Sequence, residues 1–214
     1  MIVISHYAHN AMGKREGTIM RYDKGRKDAS RSRIMEVASH RFRGDGIAAS
    51  GLASIMSDAG MTNGAFYPHF QSKADLVRES VASALEAQSQ QLQDVLASGG
   101  LELALAMYLS PEHRDHPQTG CASAALLPEI ARQPPETRAF YTERLLTLVR
   151  QLAKDLPPGI RDPEGAALGV FAALIGALQL SRAVEGTELS DRILAAGADA
   201  ARTLAQPQPK GEEY

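Results

Sequence analysis

Residues Gly60–Phe70 read GMTNGAFYPHF. The stretch opens on turn-forming residues and ends on aromatics, with Pro68 set between Tyr67 and His69. Gly64 and Pro68 disfavour a strand, and Pro68 disfavours a long helix. The pattern predicts a very short helix. Gly60 makes the turn, Thr62 caps the helix, and Phe66 and Phe70 hold it to a core. That leaves Thr62, Asn63, Ala65, Tyr67 and His69 on or near the outer face.

The flanking residues extend the pattern. Upstream, Asp28–Arg43 (DASRSRIMEVASHRFR) puts Ile34, Val37, Ala38 and Phe42 at helical spacing, and Gly44 and Gly46 are expected to stop that helix. Ser50 reads as the N-cap of a second helix, in which Leu52, Ile55 and Ala59 share a face before Gly60. Helix, glycine turn and short helix have helix-turn-helix spacing. Ile34, Ala38, Phe42, Ile47, Leu52, Ile55, Ala59, Phe66 and Phe70 are expected to form one small core. Downstream, Ser72-Lys73-Ala74-Asp75 is a capping-box variant that opens a long fourth helix to about Ala97. On spacing alone, a structural helix hairpin with a polar face fits as well.

The exposed set has a chemistry of its own. Hydroxyls and an amide can bond phosphate oxygens or base edges, and N–H groups around Thr62–Gly64 suit a phosphate. Gly64 and Ala65 keep the surface low, so the backbone can sit deep in a major groove. Lys73 adds a charge, Arg31 and Arg33 add more from the first helix, and Ser50 joins the candidate DNA-binding set.

The formal net charge of −2 hides an asymmetry: residues 1–73 carry 11 Lys and Arg against 6 Asp and Glu, and residues 74–214 carry 12 against 19. A basic N-terminal third on an acidic body fits one end that meets a polyanion. Hydrophobic residues make up 44%, which excludes global disorder. A single cysteine, Cys121, excludes an internal disulfide framework and fits a reducing, cytoplasmic setting. No secretory signal pattern is visible near Met1, and the most apolar run, Ala166–Leu180, is too short for a membrane span and is interrupted by Gln179.

From about Arg21 to Leu76 the sequence resembles the DNA-binding domain of the TetR family of bacterial transcriptional regulators. The resemblance rests on SRSRIMEVASHRFRGDG and on LASIMSDAGMTNGAFYPHFQSKADL. It implies phosphate contacts from Thr62, Asn63, Tyr67 and Lys73, base-facing roles for Asn63 and Ala65, and a packing and hydrogen-bonding role for His69. Asn63 stands where many relatives carry Lys, which removes a charge. Sequences of the family often begin near the first helix, and Met20-Arg21-Tyr22 resembles such a beginning; residues 1–19 are then an arm or an upstream start.

The rest of the chain reads as helices punctuated by proline. These are Leu101–Leu109, Cys121–Ala131, Pro135–Leu156, Pro163–Glu185 and Ser190–Leu204, with a polar loop over Ser110–Gln118. Small residues recur every four positions along Pro163–Glu185, which fits either a helix-packed dimer face or the central helix of a monomer. The resemblance favours the dimer, with Gly169, Ala172, Gly176, Gln179 and Leu194 at the interface. It also implies an effector pocket between the fourth helix and the helices from Leu101 to Leu156. Leu105, Met107, Tyr108, Cys121, Leu126, Phe140 and Leu148 are candidates to line it, each of which is otherwise plain core. Such a lining suits an apolar or weakly polar effector. Cys121, near a helix start, reads either as a small buried residue or as a sensor of oxidants or electrophiles. His113, His116 and Cys121 lie too loosely in a polar loop to read as a metal site.

Gly44-Asp-Gly46-Ile-Ala-Ala49 formally fits G-x-G-x-x-A but follows a helix rather than a strand. HExxH, GxSxG, Walker A and paired CxxC motifs are absent, and no cofactor or metal is expected. The expected fold is all-α. A flexible arm (1–24) precedes a three-helix DNA-binding unit (25–73). A long fourth helix joins that unit to an effector-binding and dimerisation body (74–205), and a disordered tail (206–214) follows. The expected function is a homodimeric regulator, a repressor on a palindromic operator, released by a small-molecule effector. The rival readings are an all-helical small-ligand enzyme and a thiol-based sensor using Cys121.

Overall fold

Segments rich in Ala and Leu, broken by Gly and Pro, leave helix as the recurrent local solution. The computed structural model describes residues 16–207, with side chains from residue 25. Among the described residues there are eight α-helices, one short 3₁₀ turn and no strand. The helices are α1 (Glu16–Asp45), α2 (Leu52–Asp58), α3 (Lys73–Tyr108), α4 (Pro111–Asp115), α5 (Ala122–Ile130), α6 (Pro135–Asp155), α7 (Pro163–Ala183) and α8 (Thr187–Leu204), and the 3₁₀ turn is Asn63–Ala65.

Several boundaries differ from expectation for local reasons. The arm expected over residues 1–24 lies outside the described residues as far as residue 15; from Glu16 the chain is helical, well before the expected start at Asp28. The tail lies outside them from residue 208. Gly44 stays inside α1, and Gly46, at φ 88°, is the stop. Ser110–Gln118 is not wholly loop: Ser110 Oγ accepts from the His113 N–H at 3.1 Å and Pro111 takes the first turn, which closes α4. The break expected at Gly99-Gly100 is a kink within α3, where Gly100 takes φ 63° and ψ −161°. The cap of α3 forms as expected. Ser72 Oγ accepts from the Asp75 N–H at 3.1 Å, and the Asp75 carboxylate accepts from the Gln71 N–H at 3.2 Å.

The apolar residues separate into two cores. One lies in the body, among α3, α6, α7 and α8, and includes Leu105, Leu148, Val149, Leu152, Val170, Leu174 and Leu178. The other gathers the N-terminal helices: Ile34, Ala38, Phe42, Ile47, Ile55, Met56, Phe66 and Phe70. Leu52 and Ala59, expected inside it, pack on its margin, and Met56 takes an interior place the spacing did not predict. This second core is not closed by its own helices. Leu76, Val77, Val81 and Leu85 of α3 and Ala122, Leu126 and Ile130 of α5 complete it. Leu126, expected at an effector pocket, therefore belongs here instead.

By length and composition α7 alone among the described helices could cross a membrane. Its apolar side packs instead on α8, α6 and α5, burying Ala167, Val170, Phe171, Leu174, Ala177 and Leu178. At the α7–α8 crossing, a β-carbon on Gly197 would stand 2.3 Å from that of Ala177. The small residue that permits close approach is thus used inside the subunit. Leu194, expected at a dimer face, points the same way and is buried.

Candidate nucleic-acid interface

The turn that places Tyr67 is built from the inside. Phe66 is fully buried, its ring stacked 5.4 Å from that of Phe70 and edge-on to Tyr67 at 5.4 Å. Gly60, at φ 72°, lets the chain reverse after α2, and the Met61 N–H reaches back to the Met56 carbonyl at 2.9 Å. Between these anchors the expected helix amounts to one 3₁₀ turn. Ala65 N–H bonds the Thr62 carbonyl at 3.0 Å and Phe66 N–H the Asn63 carbonyl at 3.2 Å. Two further bonds, from the His69 and Phe70 amides, land on the Phe66 carbonyl. Pro68 therefore tolerates a short turn and interrupts no long helix.

The surface left outside matches the expected set in part. Thr62, Asn63 and Gly64 are exposed, Ala65 is half-buried, and Tyr67 is 67% exposed beside a fully buried neighbour. Thr62 does not cap with its side chain; its hydroxyl makes no cap bond. Gly64 is the informative residue. Its φ is not positive, and a β-carbon added to it would meet nothing within 4 Å. Nothing in the fold requires glycine there, so the missing side chain leaves open space outside the chain.

Other candidates are committed within the chain. Ser50 is fully buried and donates to the Gly46 carbonyl at 2.7 Å, closing the turn before α2. It neither faces solvent nor caps α2, whose N-cap is Gly51. Lys73 Nζ donates to the Ile47 carbonyl at 2.5 Å. Arg31 pairs with Glu79 and lies over the Phe70 ring, 4.9 Å from its centroid. Arg33 is exposed and pairs with Glu36 at 3.0 Å. His69 is half-buried, and its Nδ1 has no hydrogen-bond partner among the described residues. Burial lowers its pKa, helped by Lys27 and Arg31, which fits packing better than charge donation.

The residues expected at an effector pocket are brought together only in part, with Tyr108 packed against the body core. Leu105, Cys121 and Leu148 are in the body core and Leu126 in the N-terminal one, while Met107 and Phe140 are exposed, Phe140 under the Arg78 guanidinium. Helical spacing marked all seven as apolar without saying which neighbour covers them. A polar cleft of about 350 Å³ lies elsewhere, lined by Gln71, Ser72, Asp75, Arg78, Glu79, Glu136 and Thr137. Its charged walls do not suit an apolar ligand.

Tyr108 and Cys121 do meet, at a polar corner of the body. The Cys121 N–H donates to His113 Nε2 at 2.9 Å, which puts the ring proton on Nδ1, 2.7 Å from the Tyr108 carbonyl. Both imidazole nitrogens are thus occupied and neither is free for a metal. Cys121 is buried, and its Sγ caps α5 by accepting from the Ala124 N–H at 3.5 Å. Burial pushes the Tyr108 hydroxyl well above its ordinary pKa, and Cys121 adds to the shift.

Burial lowers the His113 pKa, opposed by the Tyr108 carbonyl and reinforced by Arg182. The folded value lies below the unfolded one, about 6.5. As pH falls below about 6.5 the unfolded chain therefore takes up a proton that the folded chain resists, and stability drops. Lowering pH from 7.5 to 5.5 is expected to reduce the urea midpoint, and His113→Gln to remove part of that drop. An identical drop in the variant would refute the assignment.

With this geometry established, the fold and its N-terminal surface define a helix-turn-helix unit seated on an all-helical body. Residues 34–80 match the model described as "Bacterial regulatory proteins, tetR family". The HTH-type transcriptional regulator TtgR of Pseudomonas putida is 40% identical over 60 residues, 28% of this chain and 29% of the relative. The probable HTH-type transcriptional regulator ArpR, also of Pseudomonas putida, matches to the same extent. The alignment thus spans under a third of either relative. Over most of the chain the likeness is one of fold. A TetR-family regulator from Cytophaga hutchinsonii has TM-score 0.70 at 19% identity, covering 83% of this chain and 96% of that one. Reduced NemR of E. coli has TM-score 0.67 at 19% identity, covering 80% and 96%.

Proposed function

We propose that the chain is a DNA-binding transcriptional regulator, acting as a homodimer on a palindromic site, and not an enzyme. The observation that carries this is the Asn63–Tyr67 surface. Polar and aromatic groups stand out from a fully buried aromatic anchor, around a glycine whose open space no intramolecular contact uses. Asn63 and Ala65 are read as facing bases, and Thr62 and Tyr67 as meeting phosphate. In this reading the DNA-binding unit spans residues 25–73 and the effector-binding and dimerisation body residues 74–205, and the DNA is met in the cytoplasm. The dimer is supported by an apolar face on α7 and α8, where Leu168, Ala172, Leu180, Leu189 and Leu204 are exposed and Gly176 has open space beside it. Gly169 packs on Leu204, and Gln179 donates to the Ala124 carbonyl at 2.7 Å, so both also serve the subunit itself. Repression, relieved by a small-molecule effector in the body, rests on the family resemblance. Cys121 reads as a buried capping residue, which leaves the thiol-sensor reading without support.

The test is selection from a randomised duplex pool followed by gel shift on the enriched sequence. A two-fold-symmetric enriched site and binding that weakens steeply with salt are expected; no enriched sequence would overturn the proposal. Gly64→Gln is expected to leave the melting temperature unchanged and to weaken specific binding by at least about tenfold, because the side chain fills space the groove needs. Asn63→Ala is expected to cost about 1–3 kcal/mol of discrimination if it reads a base. Equal affinity in both variants would move the interface elsewhere.

A further inference from the structure

The N-terminal unit is not fastened only by its own residues. Glu129, near the end of α5, presents both carboxylate oxygens to the turn that follows α1. Oε2 accepts from the Ile47 N–H and Oε1 from the Ala48 N–H, each at 3.0 Å. The carboxylate thus satisfies two adjacent amides of a turn, with the acceptor supplied from a distant part of the chain. Gly46 makes room for it: a β-carbon there would stand 3.3 Å from Oε2. The same turn is held from the other side, where Lys73 Nζ bonds the Ile47 carbonyl at 2.5 Å, and from within, where Ser50 bonds the Gly46 carbonyl at 2.7 Å.

At the other end of α5, Arg43 of α1 donates to the Gly120 carbonyl at 2.8 Å. Along the same helix, Ala122, Leu126 and Ile130 sit in the N-terminal core. The opposite side of α5 belongs to the body. Gln179 of α7 bonds the Ala124 carbonyl at 2.7 Å, Tyr141 of α6 donates to Ser123 Oγ at 3.0 Å, and the Cys121 N–H is held by His113.

We propose that Glu129 is a positioning residue for the DNA-contacting surface: through it, the body's α5 fixes the Gly46–Ser50 turn and with it the seat of α2 against the Asn63–Tyr67 turn. This rests on the DNA-binding reading above. The turn leads directly into α2, and α2 leads through Gly60 into the exposed surface. A carboxylate bonded to two adjacent amides sets their direction as well as their position.

The experiment compares wild type, Glu129→Gln and Glu129→Ala in two arms. In the first, amide hydrogen exchange is read on the full DNA-free chain. Exchange at Ile47 and Ala48 is expected to quicken by about tenfold in Glu129→Ala and by less in Glu129→Gln, which keeps one acceptor, with Phe42 and Ile55 unchanged. In the second, affinity for the duplex enriched by wild type is expected to fall by about tenfold in Glu129→Ala and to recover partly in Glu129→Gln, while affinity for a scrambled duplex of equal length holds. A uniform loss on both duplexes, tracking the melting temperature, would show a merely structural residue and overturn the proposal, as would unchanged exchange at Ile47 and Ala48. If wild type enriches no duplex, the DNA-binding reading fails on its own, and the exchange arm still scores the clasp.

Discussion

Phe66→Ala is expected to unfold the N-terminal unit before the body and to abolish sequence-specific DNA binding. The ring is fully buried, stacked on Phe70 and edge-on to Tyr67. Truncating a buried phenylalanine costs about 3–5 kcal/mol, from lost transfer energy and from the cavity left behind. A whole domain is stable by only about 5–15 kcal/mol, so one such loss is a large share. The site is short of substitutes. The turn around it holds itself by a few 3₁₀-type bonds, and its side chains point either into this core or out to solvent. Urea unfolding followed separately at Tyr67 and in the body is expected to give two transitions in the variant, the first at lower urea. Phe66→Leu, which restores most of the volume, is expected to recover most of the stability. A single unshifted transition in Phe66→Ala would show that Phe66 does not anchor the turn.

Gly197→Val is expected to destabilise the body by about 3 kcal/mol, at the upper end of what overpacking costs. The contact in question is between two helix axes. The nearest atom to an added β-carbon is the β-carbon of Ala177, at 2.3 Å, with Leu109 Cδ1 at 3.4 Å. Neither helix can yield by turning a flexible side chain, so α7 and α8 must separate along a seam that buries Leu178, Leu194 and Ala201. Gly197→Ala is expected to show a smaller version of the same defect, and Ala177→Gly in that background to relieve it. Equal melting temperatures for wild type and Gly197→Val would mean the two helices are not packed as described.

What the sequence discloses is what is local. Gly60 and Gly46 take positive φ, Ser72 and Asp75 cap α3, and the aromatic pair of GMTNGAFYPHF faces inward, each legible from a few neighbouring residues. The residues that stay hidden are those whose role depends on a remote partner. Ser50 looks like a cap, yet its hydroxyl turns back to Gly46. Lys73 looks like a free cation, yet it reaches the Ile47 carbonyl. Glu129 lies 82 positions from the amide it holds and gives no local sign of it. The body suffers most from this limit. Helical spacing marks Met107, Leu126 and Phe140 equally as apolar, but one is buried with the N-terminal helices and two face solvent. The pattern of a helix gives its apolar side, not the neighbour that meets it.

The kink at Gly100 sets a mechanical length. From Lys73 to Ser98 the chain is one uninterrupted helical lever, about 39 Å long at 1.5 Å rise per residue. A tilt of about 5° about its far end sweeps the near end through about 3.4 Å, the rise of a single base step. Two such levers in a dimer would put their reading surfaces in or out of phase with a duplex by a change in angle smaller than most side-chain rotations.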